Sequence, residues 1–278
     1  MCPEILRLKS AWMLAWLNTR KKPQEFKSLK PTDLQSAKWS DVKNGKYTFA
    51  VLPWGATEPH NYHLPYLTDW HIAHDIAVDA VGKAQEKYGV FGLVLPPIPL
   101  GAQNPGQKEL PFCIHTRIET QKAVLTDILD SLNYQGIKLL VILNGHGGNS
   151  FRPLVRDLAF DFPEMTICVV DWFAVEPQKE YFEVFDDHAG EMETSVMLHY
   201  RPETVDLQRA GDGSSKGFNI DGLNKKVGWV PRRWDKTTAD TGVGNPSKAT
   251  AEKGRRYVEA VTDKIAALFD ELVHKSLY

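Results

Sequence analysis

Four side chains able to hold a divalent cation, Glu58, His60, His63 and Asp69, fall within the stretch WGATEPHNYHLPYLTD that runs from Trp54 to Asp69. Carboxylate oxygen and imidazole nitrogen are the ligands that zinc prefers, and manganese and iron accept the same mixture. Glu58 and His60, two residues apart, can point the same way at the end of a strand, and Asp69 can return to them from the far side of a loop. A polar surface loop would share this composition, but so dense a cluster of histidine and carboxylate points to metal binding or catalysis.

A second histidine site follows a different kind of segment. Lys138 to Leu143 is apolar without alternation, as expected of a strand buried on both faces in a parallel sheet. It runs into Asn144-Gly145-His146-Gly147-Gly148-Asn149 and then a helical pattern through Leu154, Leu158 and Ala159. Ligands of parallel sheets collect at the carboxyl ends of strands, so His146 is expected in the crevice that holds Glu58. The neighbouring glycines let the backbone turn sharply, and Asn144 and Asn149 read as pins for that loop. A third segment, His188 to His199, reads as a helix start preceded by a loop histidine.

Together, WGATEPHNYHLPYLTD, NGHGGN (144–149) and HAGEMETS (188–195), with TGVGNPSKATAEKG (241–254), resemble the creatininase family of amidohydrolases. The resemblance implies a three-layer α/β/α fold around a mostly parallel central sheet. It also implies two divalent metal ions per subunit, Zn2+ first with Mn2+ or Fe2+ as alternatives. Glu58, Asp69 and His146 would hold one ion and His60 and Asp69 the other, with Asp69 bridging them. A hydroxide shared by the ions would attack the amide, and His188 would carry the proton.

One ligand is missing from that pattern. The creatininase enzyme itself has a glutamate two residues after the motif histidine, where this chain has Gly148. Glu191 and Glu193 are the sources left, and on a helix they point about 200° apart, so one of them at most faces the ions. Glu193 shares its face with Val196, Met197 and Tyr200, the apolar and inward side, and is the expected ligand. Glu191 shares its face with Thr194, Ser195 and His199 and is read as a catalytic group that handles protons or supports the site. Two ordinary first-turn glutamates favoured by the helix dipole are the plain alternative. His63 reads as a hydrogen-bonded support, and His71, His74, His199 and His274 as surface or satisfied core residues.

The rest of the chain must position these groups. Predicted strands cover Tyr47 to Leu52, Val90 to Leu95, Lys138 to Leu143 and Met165 to Phe173. Ile72, Ile76, Ala77, Ala80, Val81 and Ala84 recur at helical spacing up to Gly89. Further helices are expected over Glu119 to Leu132 and from near Ser247 towards the C-terminus. This alternation argues a parallel sheet with helices on both sides. Residues 1–40 read as an N-terminal extension and 41–278 as one domain, with 211–244 as an irregular segment. Trp54, Trp70 and Trp172 could wall a flat pocket, although core packing is the commoner reason for such residues.

Composition narrows the function. With 33 basic and 35 acidic residues, a formal net charge of −2 gives no electrostatic case for nucleic acid or an anionic membrane, so a small-molecule substrate is expected. Cys2, Cys113 and Cys168 form no disulfide framework and fit a reducing cytoplasm. The apolar run Ala11 to Leu17 is too short to span a bilayer and reads as a helix packed on the body or on a neighbouring subunit. Such a patch, and a family that is mostly hexameric, imply a homohexamer.

The function expected is hydrolysis of a C–N bond in a small or cyclic amide. A deformylase, a peptide trimmer or a ring C–C hydrolase on the same metals is the alternative, and a non-catalytic metal-binding protein the other. Creatinine is not the expected substrate. Asn61, Tyr62, Cys113 and His115 depart from the family pattern, and with Gly148 they suggest a larger, more polar wall that would reject a substrate leaving its polar groups unpaired.

Overall fold

In the computed structural model, which describes residues 31–185 and 187–278, all of strand β1 (Phe49–Trp54) is buried. Phe49 and Val51 face one core while Ala50, Leu52 and Trp54 face another, which is why the strand carries an apolar run without alternation. The predicted N-terminal helix over Ala11 to Leu17 lies outside the described residues.

From β1 the chain enters the long helix α1 (Thr68–Tyr88) and returns as β2 (Gly92–Val94). Helix α2 (Ile118–Tyr134) leads to β3 (Leu139–Asn144), and α3 (Phe151–Asp161) to β4 (Thr166–Asp171). The four strands are parallel and ordered β2-β1-β3-β4. Helices α4 (Glu191–Tyr200) and α5 (Ala251–His274) follow. Residues of α1, α4 and α5 fill the core on one face of the sheet, including Ile72, Ile76, Val196, Val258 and Ile265. Leu125 and Leu129 of α2 and Leu154 and Leu158 of α3 fill the other. This is the expected three-layer α/β/α arrangement.

The predicted boundaries shift by a residue or two at several strands, the first running to Trp54 and the second shortened to Gly92–Val94. The last strand ends at Asp171 because Trp172–Ala174 winds into a 3-10 turn. The last helix starts later than Ser247: Pro246–Lys248 makes a separate 3-10 turn, and Thr250 caps α5 by accepting from the Lys253 amide at 3.2 Å. Residues 211–244 are irregular apart from single helical turns at Asp221–Asn224 and Trp234–Thr237. Ahead of the sheet, Thr32 and Leu34 exchange backbone hydrogen bonds with Val94 of the edge strand. No helix among the described residues is long and apolar enough to cross a membrane.

The strand order fixes where a ligand can sit. The chain moves from β1 to one side for β2, then crosses to the other side for β3, so connections leave β1 and β3 in opposite directions. A crevice opens beyond the carboxyl ends of two such strands. Trp54 and Asn144, the last residues of β1 and β3, are register partners, and the motifs carrying Glu58 and His146 follow them directly.

Candidate metal centre

Asp69 stands in the first turn of α1, which lies against the loop after β3 closely enough that only glycine fits there. A side chain on Gly145 would begin 2.5 Å from the Asp69 carbonyl oxygen. This approach brings the Asp69 carboxylate between the two strand-end loops. Its Oδ1 lies 2.9 Å from His60 Nε2 and its Oδ2 lies 3.0 Å from His146 Nδ1. Glu58 Oε1 is 2.9 Å from the same His146 nitrogen, and Glu193 Oε2 is 3.9 Å from His60 Nε2. Glu58, His60, Asp69, His146 and Glu193 are all buried. Their ligating atoms form two convergent groups, Glu58–Asp69–His146 and His60–Asp69–Glu193, with Asp69 common to both; a third unites Glu58, His60 and His188.

Backbone carbonyls orient the imidazoles. His146 Nε2 donates to the Ala102 oxygen at 2.8 Å, and His60 Nδ1 donates to the Glu58 oxygen at 3.0 Å. The opposite nitrogens face carboxylate oxygens at hydrogen-bond distance, an arrangement that needs either a proton or a cation between them. Asp69 Oδ2 is buried and faces only the His146 ring nitrogen, at 3.0 Å. Three buried carboxylates against neutral imidazoles would be costly unless compensated by positive charge. The donor set of nitrogen and oxygen suits a borderline divalent ion, so the residues fit such a metal.

The field of the site shifts the pKa values of His60, His146 and Asp69. Burial opposes protonation of His60, yet Asp69, Glu193 and Glu58 override it and push the imidazole up to about 10. His146 is likewise raised well above its ordinary value, burial being outweighed by Glu58 and Asp69. Burial alone would raise the Asp69 carboxyl, but His60 and His146 hold it well below the usual range. A divalent cation entering this field would displace those protons.

His188 precedes α4 on a loop that forms a bridge with Val243. Its Nε2 donates to the Pro59 oxygen at 3.0 Å, leaving Nδ1 3.7 Å from Glu58 Oε1. Burial, and then the neighbouring His60, lower its pKa. Its ring lies 4.1 Å from that of His60, and the Trp234 ring meets it edge-on at 5.3 Å. His63 supports the site from behind through a 2.7 Å hydrogen bond to Thr194, the residue after Glu193.

Glu191 does not join these groups. Its Oε2 accepts from the Glu183 and Val184 amides at 2.9 and 2.7 Å, and its Oε1 meets Lys253 Nζ at 2.5 Å. Gly148 has no room for a ligand side chain, since a Cβ there would run into the Ala102 carbonyl and the His146 ring. Asn144 and Asn149 pin the glycine loop as expected: Asn144 Oδ1 accepts from the His146 amide at 3.1 Å and from Asn149 Nδ2 at 3.1 Å.

A cleft of ≈ 220 Å³ opens onto Glu58, His146 and His188. Its other walls come from Gly147, Gly148, Asn104, Gln107, Asp187 and the segment carrying Trp229, Val230, Arg232 and Trp234, the last of which holds none of the motifs. Asn61, Tyr62, Cys113 and His115 are not among its lining residues. Asn61 instead ties the metal loop to distant backbone, accepting from the Gly211 amide at 2.8 Å, and Tyr62 is exposed. Of the three tryptophans near the motifs, Trp54 and Trp172 are core residues, and Trp70 stacks on His74. A run of glycines and charges without period gave no sign that residues 229–234 would fold over the site.

Known proteins resemble this chain in sequence and in fold. The family model Creatininase: Creatinine amidohydrolase matches residues 35–269. A mycofactocin precursor peptide peptidase of Mycobacterium ulcerans (strain Agy99) is 32% identical over 230 residues, 78% of this chain and 83% of that protein. A creatinine amidohydrolase of Pseudomonas putida is 27% identical over 237 residues, 78% of this chain and 86% of that protein. The crystal structure of a putative creatinine amidohydrolase from Bacteroides fragilis NCTC 9343 is 58% identical, with a TM-score of 0.88 over 90% of this chain and 99% of that one. With the family model running from the first described segment to near the end of α5, the chain belongs to the creatininase family of metal-dependent amidohydrolases.

Proposed function

We propose that the protein hydrolyses a C–N bond in a small or cyclic amide, using two divalent cations, Zn2+ first with Mn2+ or Fe2+ as alternatives. The observation that carries this reading is the Asp69 carboxylate, one oxygen of which faces His60 and the other His146. Glu58, Asp69 and His146 would hold one ion, and His60, Asp69 and Glu193 the other. When bound, such a pair supplies Lewis acidity and a water acidified toward neutral pH.

The chain's own residues do the rest. Glu58, His146 and His188 keep the metal side of the cleft polar, while Trp229, Val230 and Trp234 give the substrate an apolar face. His188 Nδ1 is directed toward the Glu58 carboxylate at the edge of the cleft. There it can take a proton from the attacking water and return it to the leaving nitrogen as the C–N bond breaks.

The outer rim favours one second substrate class, a peptide end. Trp229 is 82% exposed and Arg232 also lines the cleft, while the mycobacterial relative is named a peptide peptidase. The metals and the fold can be common to both reactions while the walls choose the substrate. We further propose a cytoplasmic homohexamer, to be checked by light scattering.

A screen of metal-loaded protein against lactams, linear amides and short peptides tests the reaction. Turnover of an amide or lactam that stops with chelator is expected, and cleavage of peptides alone would favour the second reading. Creatinine belongs in the same screen, because Asn61, Tyr62, Cys113 and His115, whose departures from the family pattern argued against it, do not line the cleft. No C–N hydrolysis with two ions bound would overturn the proposal.

A further inference from the structure

We infer that Gln107 is a positioning residue for the metal-facing oxygen of Glu58, and that it links the cleft wall to the metal centre. Gln107 is 1% exposed and belongs to a loop with no recognisable motif. Its Nε2 donates to Glu58 Oε2 at 2.5 Å. Its own Oε1 accepts from the Asn104 amide at 2.8 Å, which settles which end of the side chain faces the carboxylate. With Oε2 held in this way, Oε1 of Glu58 faces His146 Nδ1 at 2.9 Å and His188 Nδ1 at 3.7 Å.

The choice of a neutral donor matters. A lysine or arginine here would orient Glu58 equally well but would cancel the negative charge that draws a cation. An apolar residue would leave a buried carboxylate oxygen without a partner and free to rotate toward the ion, which costs both stability and geometry. An amide satisfies one oxygen and leaves the charge intact, the role that outer partners of metal ligands generally play.

The same turn is braced by the cleft wall. Gln107 N donates to the Asn104 oxygen at 3.1 Å, and the Pro105 oxygen accepts from the Trp234 amide at 2.7 Å. Gly106, at φ 92°, lets the turn close where Asp235 leaves no space for a side chain. Trp234 in turn packs its ring against His188. A displacement of the 229–234 wall would therefore reach Glu58 through Pro105 and Gln107.

This inference rests on the reading of Glu58 as a metal ligand. Its test compares apo wild type with Gln107→Leu by calorimetric titration with Zn2+ and by the visible spectrum of the Co2+-loaded protein. The expected result is ~10- to 100-fold weaker binding of one ion and an altered Co2+ spectrum, with the ion near His60 and Glu193 little changed. Should Gln107→Leu fail to fold by circular dichroism, Gln107→Met keeps the side-chain length without the donor and carries the same comparison. Equal affinities and superimposable Co2+ spectra would overturn the role of Gln107 while leaving the metal centre standing. A wild type that takes up no ion would remove the metal reading and this inference together. If wild type binds a single ion, the pair is wrong, and the affinity for that ion decides for or against Gln107.

Discussion

Glu191 and Glu193 stand two residues apart in the first turn of α4, yet their carboxylates serve different parts of the molecule. Oε1 of Glu191 meets Lys253 at 2.5 Å, whereas Oε2 of Glu193 accepts from the Ala189 amide at 2.6 Å and lies 3.9 Å from His60 Nε2.

The two glutamates should therefore separate in mutagenesis. Glu193→Gln is expected to lower metal content with a small effect on stability. Glu191→Ala should keep its metal but lose about 3 kcal/mol of unfolding free energy, because two backbone amides and Lys253 lose their acceptor. Elemental analysis alongside urea unfolding checks both, and loss of metal in Glu191→Ala without loss of stability would contradict the assignment.

Asp69 is common to both groups of candidate ligands. Asp69→Ala should lose the organisation of both ions, whereas His60→Ala should mainly weaken one. Metal analysis after purification without chelator should return about two ions per wild-type chain. Finding no metal even after zinc or manganese is supplied would sink the two-ion reading.

Removal of the proton carrier should leave metal binding intact. His188→Ala is expected to lower kcat by ~10²- to 10⁴-fold at unchanged metal content. Pre-steady-state and steady-state kinetics on a substrate found in the screen measure this, and undiminished kcat would exclude His188 as the proton carrier.

Away from the metals, His74 makes stability depend on pH. Burial disfavours its charge, but Asp75 and Asp33, each with an oxygen 3.3 Å away, outweigh burial and raise its pKa. The Gln35 amide and the Trp70 ring also border it, and Arg201 holds Asp75 from the other side. A raised folded pKa means that the stabilisation is fully present below the unfolded value near ~6.5 and fades as pH rises through the folded value. Unfolding curves of wild type and His74→Gln should therefore differ most below about pH 6.5 and converge at higher pH. A gap that widens with rising pH would show the sign to be wrong.

The sequence by itself determined the α/β class, the strands and the residues that converge at the candidate centre. Apolar runs such as Lys138 to Leu143 report burial on both faces directly, and the candidate ligands lie in short motifs at strand ends or a helix start, where the resemblance to the creatininase family named them. Helical geometry also showed that Glu191 and Glu193 cannot both face one site, because they belong to one element. Only the tertiary structure decided that Glu191 is taken by Lys253, sixty-two residues away, and that a side chain at position 148 would meet the Ala102 carbonyl. It also decided the cleft. Asn61, beside a ligand in sequence, turns to Gly211, while Gln107, Arg232 and Trp234 come to the site from segments without period. Periodicity and spacing report which face an element buries, but the partners of an irregular loop are chosen by packing and hydrogen bonding across the whole chain, and no local pattern encodes that choice.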